Sequence, residues 1–165
     1  MKIGKGVEWA AHACALLAAV PEGGALAGEA LAEFLGVPPA YLAKQLQALS
    51  RAGIVSARRG AAGGYRLAQS PDALSLWDIT AAIEGTAPSF RCTEVRRSGP
   101  CGASPAECSA PCPIAAAFRR AEAGYRRALS AVRLTDIVTD VARNASAARK
   151  RRIRAWIDHN AALPA

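Results

Sequence analysis

Between Pro38 and Ser70 the chain has no acidic residue, so nothing there offsets Lys44, Arg51, Arg58, Arg59 and Arg66. Histidine is nearly absent as well: His12 and His159 are the only two. Neither stands in a serine or cysteine nucleophile motif or beside a phosphate-cradling loop, which argues against an enzyme. No uninterrupted apolar run approaches the ~20 residues of a membrane-spanning helix, so no membrane partner is expected. Aromatic residues make up only 5% of a chain that is 52% hydrophobic and rich in alanine. That balance suits a helical globular protein and excludes a disordered one. Internal repeats are missing too. The opening MKIGKGVEWAAHACALLAAV superficially resembles a signal peptide, but Glu8, Trp9 and His12 interrupt its apolar centre, and a cytoplasmic protein is expected.

What is present begins with size and charge. At 165 residues and 17.1 kDa there is room for one domain core with appended helices. The net charge of +8 points to anionic partners, nucleic acid or an acidic membrane surface. A second basic excess lies in the tail, where Arg143, Arg149, Lys150, Arg151, Arg152 and Arg154 face only Asp158. That segment reads equally well as a solvated helix end.

Apolar residues at helical spacing predict a first helix over 5–20, stopped by Pro21, and a second from Leu26 to Gly36. VPPAYLAKQLQALSRAG gives a third, with Pro38 and Pro39 in its first turn, Tyr41, Leu42, Leu46 and Leu49 on its apolar side, and Gly53 at its end. IVSARRGAAGGYRL reads as strand, glycine-rich turn and strand. A fourth helix is expected over Leu74–Glu84, one long helix over 113–142, and a helical tail from Ser146 to His159. Short helices, a tight turn at Gly36 and a basic hairpin make a winged helix-turn-helix. The fold class is therefore mainly α with a small β-wing, plus a long helix.

In such a fold the second helix of the pair enters the DNA major groove while the hairpin lies on the phosphates. The candidate DNA contacts are Tyr41, Lys44, Gln45 and Gln47 on the third helix, with Arg58, Arg59 and Gly60 on the wing. The bland alternative is the same topology used for protein contacts. The basic residues coincide with the two elements that would touch DNA, and that favours double-stranded DNA as partner.

Four of the five cysteines, Cys92, Cys101, Cys108 and Cys112, crowd into CTEVRRSGPCGASPAECSAPCP, which has no regular periodicity. Disulfides, a metal or cluster site and a thiol switch all fit. In a reducing compartment the last two are favoured. Glu8 and His12 leave one face of the first helix a turn apart, so a carboxylate and an imidazole can meet one metal ion there. Taken alone they read as an ordinary exposed pair. Cys14 reads as a small buried hydrophobe on the same helix.

The stretch VPPAYLAKQLQALSRAGIVSARRGAAGGYRLAQSP resembles the DNA-binding core of the Rrf2 family, which includes the iron–sulfur regulator IscR and the nitric-oxide sensor NsrR. The likeness extends over about 1–140 through the GG-Y-R-L wing, the helix LSLWDITAAIEG and the cysteine loop leading into a long helix. It implies a homodimeric transcription factor with that helix as its seam, supplied by Phe118, Tyr125, Leu129 and Val132. It also implies four regions: a winged helix-turn-helix over 1–86, a cluster-binding loop over 87–113, a dimerisation helix over 114–142 and a basic tail over 143–165.

The cysteine spacing departs from the family's commoner pattern of three cysteines about five residues apart. An early cysteine and a late Cys-Pro bracketing a longer loop, together with the first-helix VEWAAHAC, resemble the redox-sensing RsrR branch instead. That resemblance implies Cys92 and Cys112 as thiolate ligands, with Cys108 as the substitute. Joined by Glu8 and His12 they would complete a 2Fe–2S set bridging two subunits. One-electron reduction would add a negative charge that a proton on or near His12 balances. Trp9, between the two helical ligands, is either a plain core anchor or the link from cluster to reading helix. The expected function is thus redox-sensing transcriptional regulation at an inverted-repeat operator. A zinc-stabilised winged-helix repressor and an iron–sulfur electron carrier are the alternatives.

Overall fold

A computed structural model describes residues 3–58, 60 and 63–163. In chain order the elements are helix α1 (Lys5–Leu17), strand β1 (Ala25–Leu26), α2 (Gly28–Leu35), α3 (Pro39–Arg51), β2 (Val55–Arg58), β3 (Gly64–Leu67) and α4 (Leu76–Glu84). They continue through a 3-10 turn (Val95–Arg97), α5 (Pro113–Ala131), α6 (Leu134–Asn144), α7 (Ala147–Asn160) and β4 (Ala161–Ala162).

The core forms where the apolar faces of the first helices meet. Leu31 of α2, Leu42, Leu46 and Leu49 of α3, and Ala10, Ala13 and Cys14 of α1 are all fully buried against Leu26, Leu74 and Ile79. Pro39 suits the first turn of α3 because its missing N–H would have no helical acceptor. Gly36 closes α2 in the left-handed region, φ 64°, a conformation that glycine adopts without strain. α4 starts on a reciprocal cap: the Asp78 N–H donates to Ser75 Oγ at 3.2 Å, and the Ser75 N–H donates to Asp78 Oδ2 at 2.8 Å.

The winged helix-turn-helix is present, in a mainly helical molecule with a small antiparallel sheet. β2 and β3 pair from Val55↔Leu67 to Arg58↔Gly64, and the sheet order is β2-β3-β1-β4. Three local expectations differ. The first helix ends at Leu17, because the Ala19 and Val20 amides bond three residues back and tighten the chain before Pro21. Leu26, expected in the second helix, stands in β1 opposite Tyr65.

The long helix expected over 113–142 is two helices. Val132 and Arg133 are extended, and the chain there forms a bridge with Ser75: the Leu76 N–H donates to Val132 O at 3.0 Å and the Leu134 N–H to Leu74 O at 2.9 Å. Leu134, fully buried, is the side chain that turn gains. The tail is not a free end either, since α7 packs Ile153, Trp156 and Ile157 on the core and β4 pairs with β1.

The sheet has one point of close approach. Gly64 has φ 149°, and a Cβ placed on it would lie 2.6 Å from the carbonyl carbon and oxygen of Leu26. Gly36 also has positive φ, yet a Cβ there meets nothing. Gly64→Ala is therefore expected to destabilise by about 1–3 kcal/mol, with Tm falling about 2–4 °C per kcal/mol for a chain of this size. Gly36→Ala should lose less. Thermal melts followed by circular dichroism compare the two, and equal losses would show that the β1–β3 approach imposes no constraint.

Candidate functional site

The candidate DNA-contact surface is the exposed side of α3. With Leu42, Leu46 and Leu49 turned inward, the rest of α3 faces out: Tyr41 is 62% exposed, and Lys44 and Gln47 are exposed. Gln45 is half-buried, not exposed as expected. Its amide lies against Gly6 of α1, where a Cβ would sit 3.0 Å from Gln45 Oε1, and its Nε2 donates to Tyr41 O at 3.4 Å. On the wing, Arg58 is exposed at the end of β2. Gly60 turns the chain with φ 105° and accepts from the Gly63 N–H at 2.8 Å. Arg59 lies outside the described residues.

The cysteine loop is irregular, so its path depends on individual contacts. Phe90 stacks on Phe118 of α5, centroids 4.4 Å apart and planes 16° apart, which fixes where the loop begins. Arg126 of α5 donates to Thr86 O at 2.9 Å, and the Ser89 N–H donates to Glu122 at 3.3 Å. The far end is fixed because Cys112 is the N-cap of α5, with Pro113 in the first turn. These anchors bring the two ends together: Cys92 Sγ, Cys112 Sγ and a Glu94 carboxylate oxygen lie within 4.8 Å of one another. Cys101 and Cys108 stand outside that group.

Two residues that the sequence did not single out complete the arrangement. Glu94, with a left-handed backbone (φ 53°), ion-pairs with Arg96 Nε at 2.5 Å. Arg96 also donates to Ala110 O at 3.0 Å, tying the middle of the loop to its end. The Arg96 hydrogen bond holds the Glu94 carboxyl below the ordinary range. The Cys112 thiol is lowered chiefly by the Ala115 backbone N–H at the start of α5, with help from the Ile114 N–H, the Arg96 guanidinium and Cys92. Cys14 behaves in the opposite way: burial pushes its thiol up to about 12. Only the Glu-x-Arg run beside Cys92 hinted at this pair, and no periodicity marks it.

On α1, Glu8 and His12 are exposed and lie apart from the cysteine group of the same chain. Trp9 between them is half-buried and meets Tyr41 of α3 edge-on, centroids 6.2 Å apart at 68°. The residue next to both helical candidates therefore touches an exposed position of the reading helix.

The chain matches the Rrf2 family, described as iron-dependent transcriptional regulators, over residues 3–140. The HTH-type transcriptional repressor NsrR of Streptomyces coelicolor is 30% identical over 139 residues, covering 84% of this chain and 88% of that protein. An HTH-type transcriptional regulator of Synechocystis sp. is 45% identical over 84 residues, 51% of this chain. The chain spans 57% of that protein's length, and 54% of similar regulators from Bacillus subtilis and Lactococcus lactis. Among solved structures, T. potens IscR superposes with a TM-score of 0.65 at 23% identity, covering 91% of this chain and 96% of that one. CymR, the global cysteine regulator of B. subtilis, gives 0.62 at 24%, covering 84% and 97%. These superpositions speak to the fold, a winged helix with appended helices.

The thiol environments generate a prediction for metal-free protein. A lowered pKa means Cys112 becomes thiolate at lower pH, so its alkylation by iodoacetamide should reach half its maximal rate at a lower pH in folded than in denatured protein. Arg96→Ala removes one stabilising charge and should move that midpoint upward. Cys14 should stay unlabelled in folded protein throughout this range. Peptide mass spectrometry after timed quenching measures all three, and a Cys112 midpoint at or above that of Cys101 would contradict the assignment.

Proposed function

The chain belongs to the Rrf2 family of DNA-binding transcriptional regulators, and from that premise we propose a homodimer that senses redox state through a 2Fe–2S cluster. Tyr41, Lys44 and Gln47 are the groups of α3 placed to read base edges or phosphates. Arg58 and Arg59 clamp phosphates from the wing, and Gly60 lets the backbone turn against them. Gln45, packed on Gly6, steadies the Tyr41 turn from behind. Two copies related by a two-fold axis favour an inverted-repeat operator with half-sites a whole number of helical turns apart.

The observation that carries the cluster reading is the meeting of Cys92 and Cys112 from opposite ends of an irregular loop. Two thiols at that separation, with a guanidinium and a helix N-terminus that favour the thiolate of Cys112, suit iron. A cluster takes four protein ligands, and the remaining carboxylate of the group, Glu94, is already engaged by Arg96. We assign the other two positions to the partner subunit's Glu8 and His12, which present a carboxylate and an imidazole from one exposed helical face. When bound, the cluster supplies a one-electron centre whose potential is raised by having fewer thiolates than an all-cysteine site.

The protein's own residues do the rest. Arg96 holds the loop end in place through the Ala110 carbonyl. Trp9, flanked by both helical ligands, passes any shift of α1 to Tyr41 through their edge-to-face contact. The same thiol and carboxylate group would also accept structural zinc. Elemental analysis beside the visible absorption of protein purified without oxygen separates the two.

Ligand substitutions test the assignment directly. Cys92→Ala and Cys112→Ala should each yield colourless protein, whereas Cys101→Ala should keep the chromophore. Glu8→Ala with His12→Ala should shorten cluster lifetime at least severalfold on exposure to air. Full cluster stability in that double variant would defeat the cross-subunit set and make Cys108 the next ligand to substitute.

The switch is tested by measuring DNA affinity anaerobically for oxidised, dithionite-reduced and metal-free protein. Oxidised and reduced forms should differ by at least about tenfold, equivalent to ~1.4 kcal/mol of coupling, with iron content unchanged. Trp9→Ala should bring the two affinities together. If only the metal-free form differed, the signal would be cluster loss, not electron transfer.

A further inference from the structure

The match to the family ends at residue 140, and beyond it α7 is built into the reading domain at three points. Trp156 packs on Phe34 of α2, ring centroids 4.7 Å apart. β4 pairs with β1, Ala25↔Ala162 and Leu26↔Ala161, on the opposite side of the sheet from the wing strand β2. Leu163 fills the space beside Gly24, where a Cβ would lie 3.2 Å from its Cδ2. Ile153, Trp156, Ile157 and Asn160 form the inward face at helical spacing.

The first turns of the helix, ahead of that inward face, carry a run of cations. Arg149, Lys150, Arg151 and Arg152 are all exposed, and among the described residues none has a carboxylate partner. The helix has one acid, Asp158, and Arg154 takes it at 3.2 Å. Like charges three and four residues apart repel by a few tenths of a kcal/mol per pair, roughly 0.2–0.5. A free tail would relieve this by fraying, but here the aromatic contact and the strand pairing hold the charges in place. The helix that carries them is anchored through Trp156 on Phe34 of α2, the first helix of the pair, which in this motif crosses the DNA backbone.

We propose that α7 is a second, sequence-independent DNA contact, in which Arg149, Lys150, Arg151 and Arg152 neutralise phosphates of the duplex beside those met by α2. It requires no cluster and no particular redox state. It gives the basic tail a role that the reading helix and wing do not share, since a row of unpaired cations fits a polyanion and carries no base selectivity.

Non-specific binding of the full chain to a random-sequence duplex about four helical turns long (~10.5 base pairs each) tests this, with fluorescence anisotropy read across a range of potassium chloride. Replacing the four cations with alanine should weaken binding on the order of tenfold at low salt. It should also reduce the log–log salt slope by about 0.9 for each phosphate contact removed. Arg151→Gln with Arg152→Gln, a pair that keeps helix-forming side chains, should give part of both effects. Exchanging the three arginines for lysine should preserve the slope. Trp156→Ala, which leaves every charge in place but removes the anchor on Phe34, should weaken binding too. Arg58→Ala serves as the reference for a wing contact. Unchanged slopes in the alanine and glutamine variants, with Arg58→Ala reducing the slope, would overturn the proposal while leaving the DNA-binding reading intact. A wild-type chain that bound no duplex at low salt would overturn both.

Discussion

The DNA-reading surface of this molecule depends on how α3 is seated. Leu42, Leu46 and Leu49 are fully buried, and the surface they bury against includes Ala10, Ala13 and Cys14 of α1. Small residues on α1 meet that face, and Gly6 leaves room for the Gln45 amide, whose oxygen a Cβ there would approach to 3.0 Å. Truncating any of those leucines would remove roughly 2–5 kcal/mol, a large share of the stability of a single domain. Because that inner face is fixed, so is the direction in which Tyr41 and Lys44 point. A regulator built this way cannot move α1 without consequence for the helix above it.

The cysteine loop shows the opposite solution. It has almost no secondary structure to satisfy its backbone and no apolar face to bury, so its shape depends on a few long side chains. Arg126 reaches from α5 to the Thr86 carbonyl, Arg96 reaches from the middle of the loop to the Ala110 carbonyl, and Phe90 on Phe118 adds an apolar anchor. Such a segment sits at the low end of local stability. That would suit the cluster site proposed for it, whose donors have to open to admit iron. The N-terminus of α5 begins at Cys112 and lowers that thiol's pKa through its own N–H groups.

The helices of the reading domain were legible because each writes its burial into a 3.6-residue rhythm, and Gly36, Pro39 and the glycine-rich turn mark their ends. What was not legible rests on partners distant in sequence. Leu26 continues an apolar run that reads as helix, and only pairing with Tyr65 and Ala161 makes it a strand. Val132 carries helical periodicity, but hydrogen bonds to Leu76 and the burial of Leu134 win over propensity and break α5 from α6. The meeting of Cys92 and Cys112 came from resemblance, not from any local pattern. Glu94 and Arg96 gave no signal stronger than proximity in the chain. Gln45 looked like a reading residue because the helix phase alone does not say that Gly6 leaves room for its amide.

Scarcity of aromatics, which at first marks only a helical composition, turns out to locate the joints. Phenylalanine, tyrosine and tryptophan occur three times each, and all but Tyr65 stand in an aromatic pair between two different parts of the molecule. Trp9–Tyr41 joins α1 to α3, Phe34–Trp156 joins α2 to α7, Trp77–Tyr125 joins α4 to α5, and Phe90–Phe118 joins the loop to α5. Alanine elsewhere buries little area per residue, so these pairs carry a disproportionate share of the contact between elements. Each is worth only about 0.5–1.5 kcal/mol beyond its buried area, comparable to the coupling energies that allosteric proteins use. Joints of that strength hold an element in one position yet yield to a change of charge or ligation nearby. The same economy that leaves the core poor in rings therefore concentrates the aromatic contact between α1, α7, the cysteine loop and the helices they meet in four pairs, and a shift of α1 reaches the reading helix through one of them.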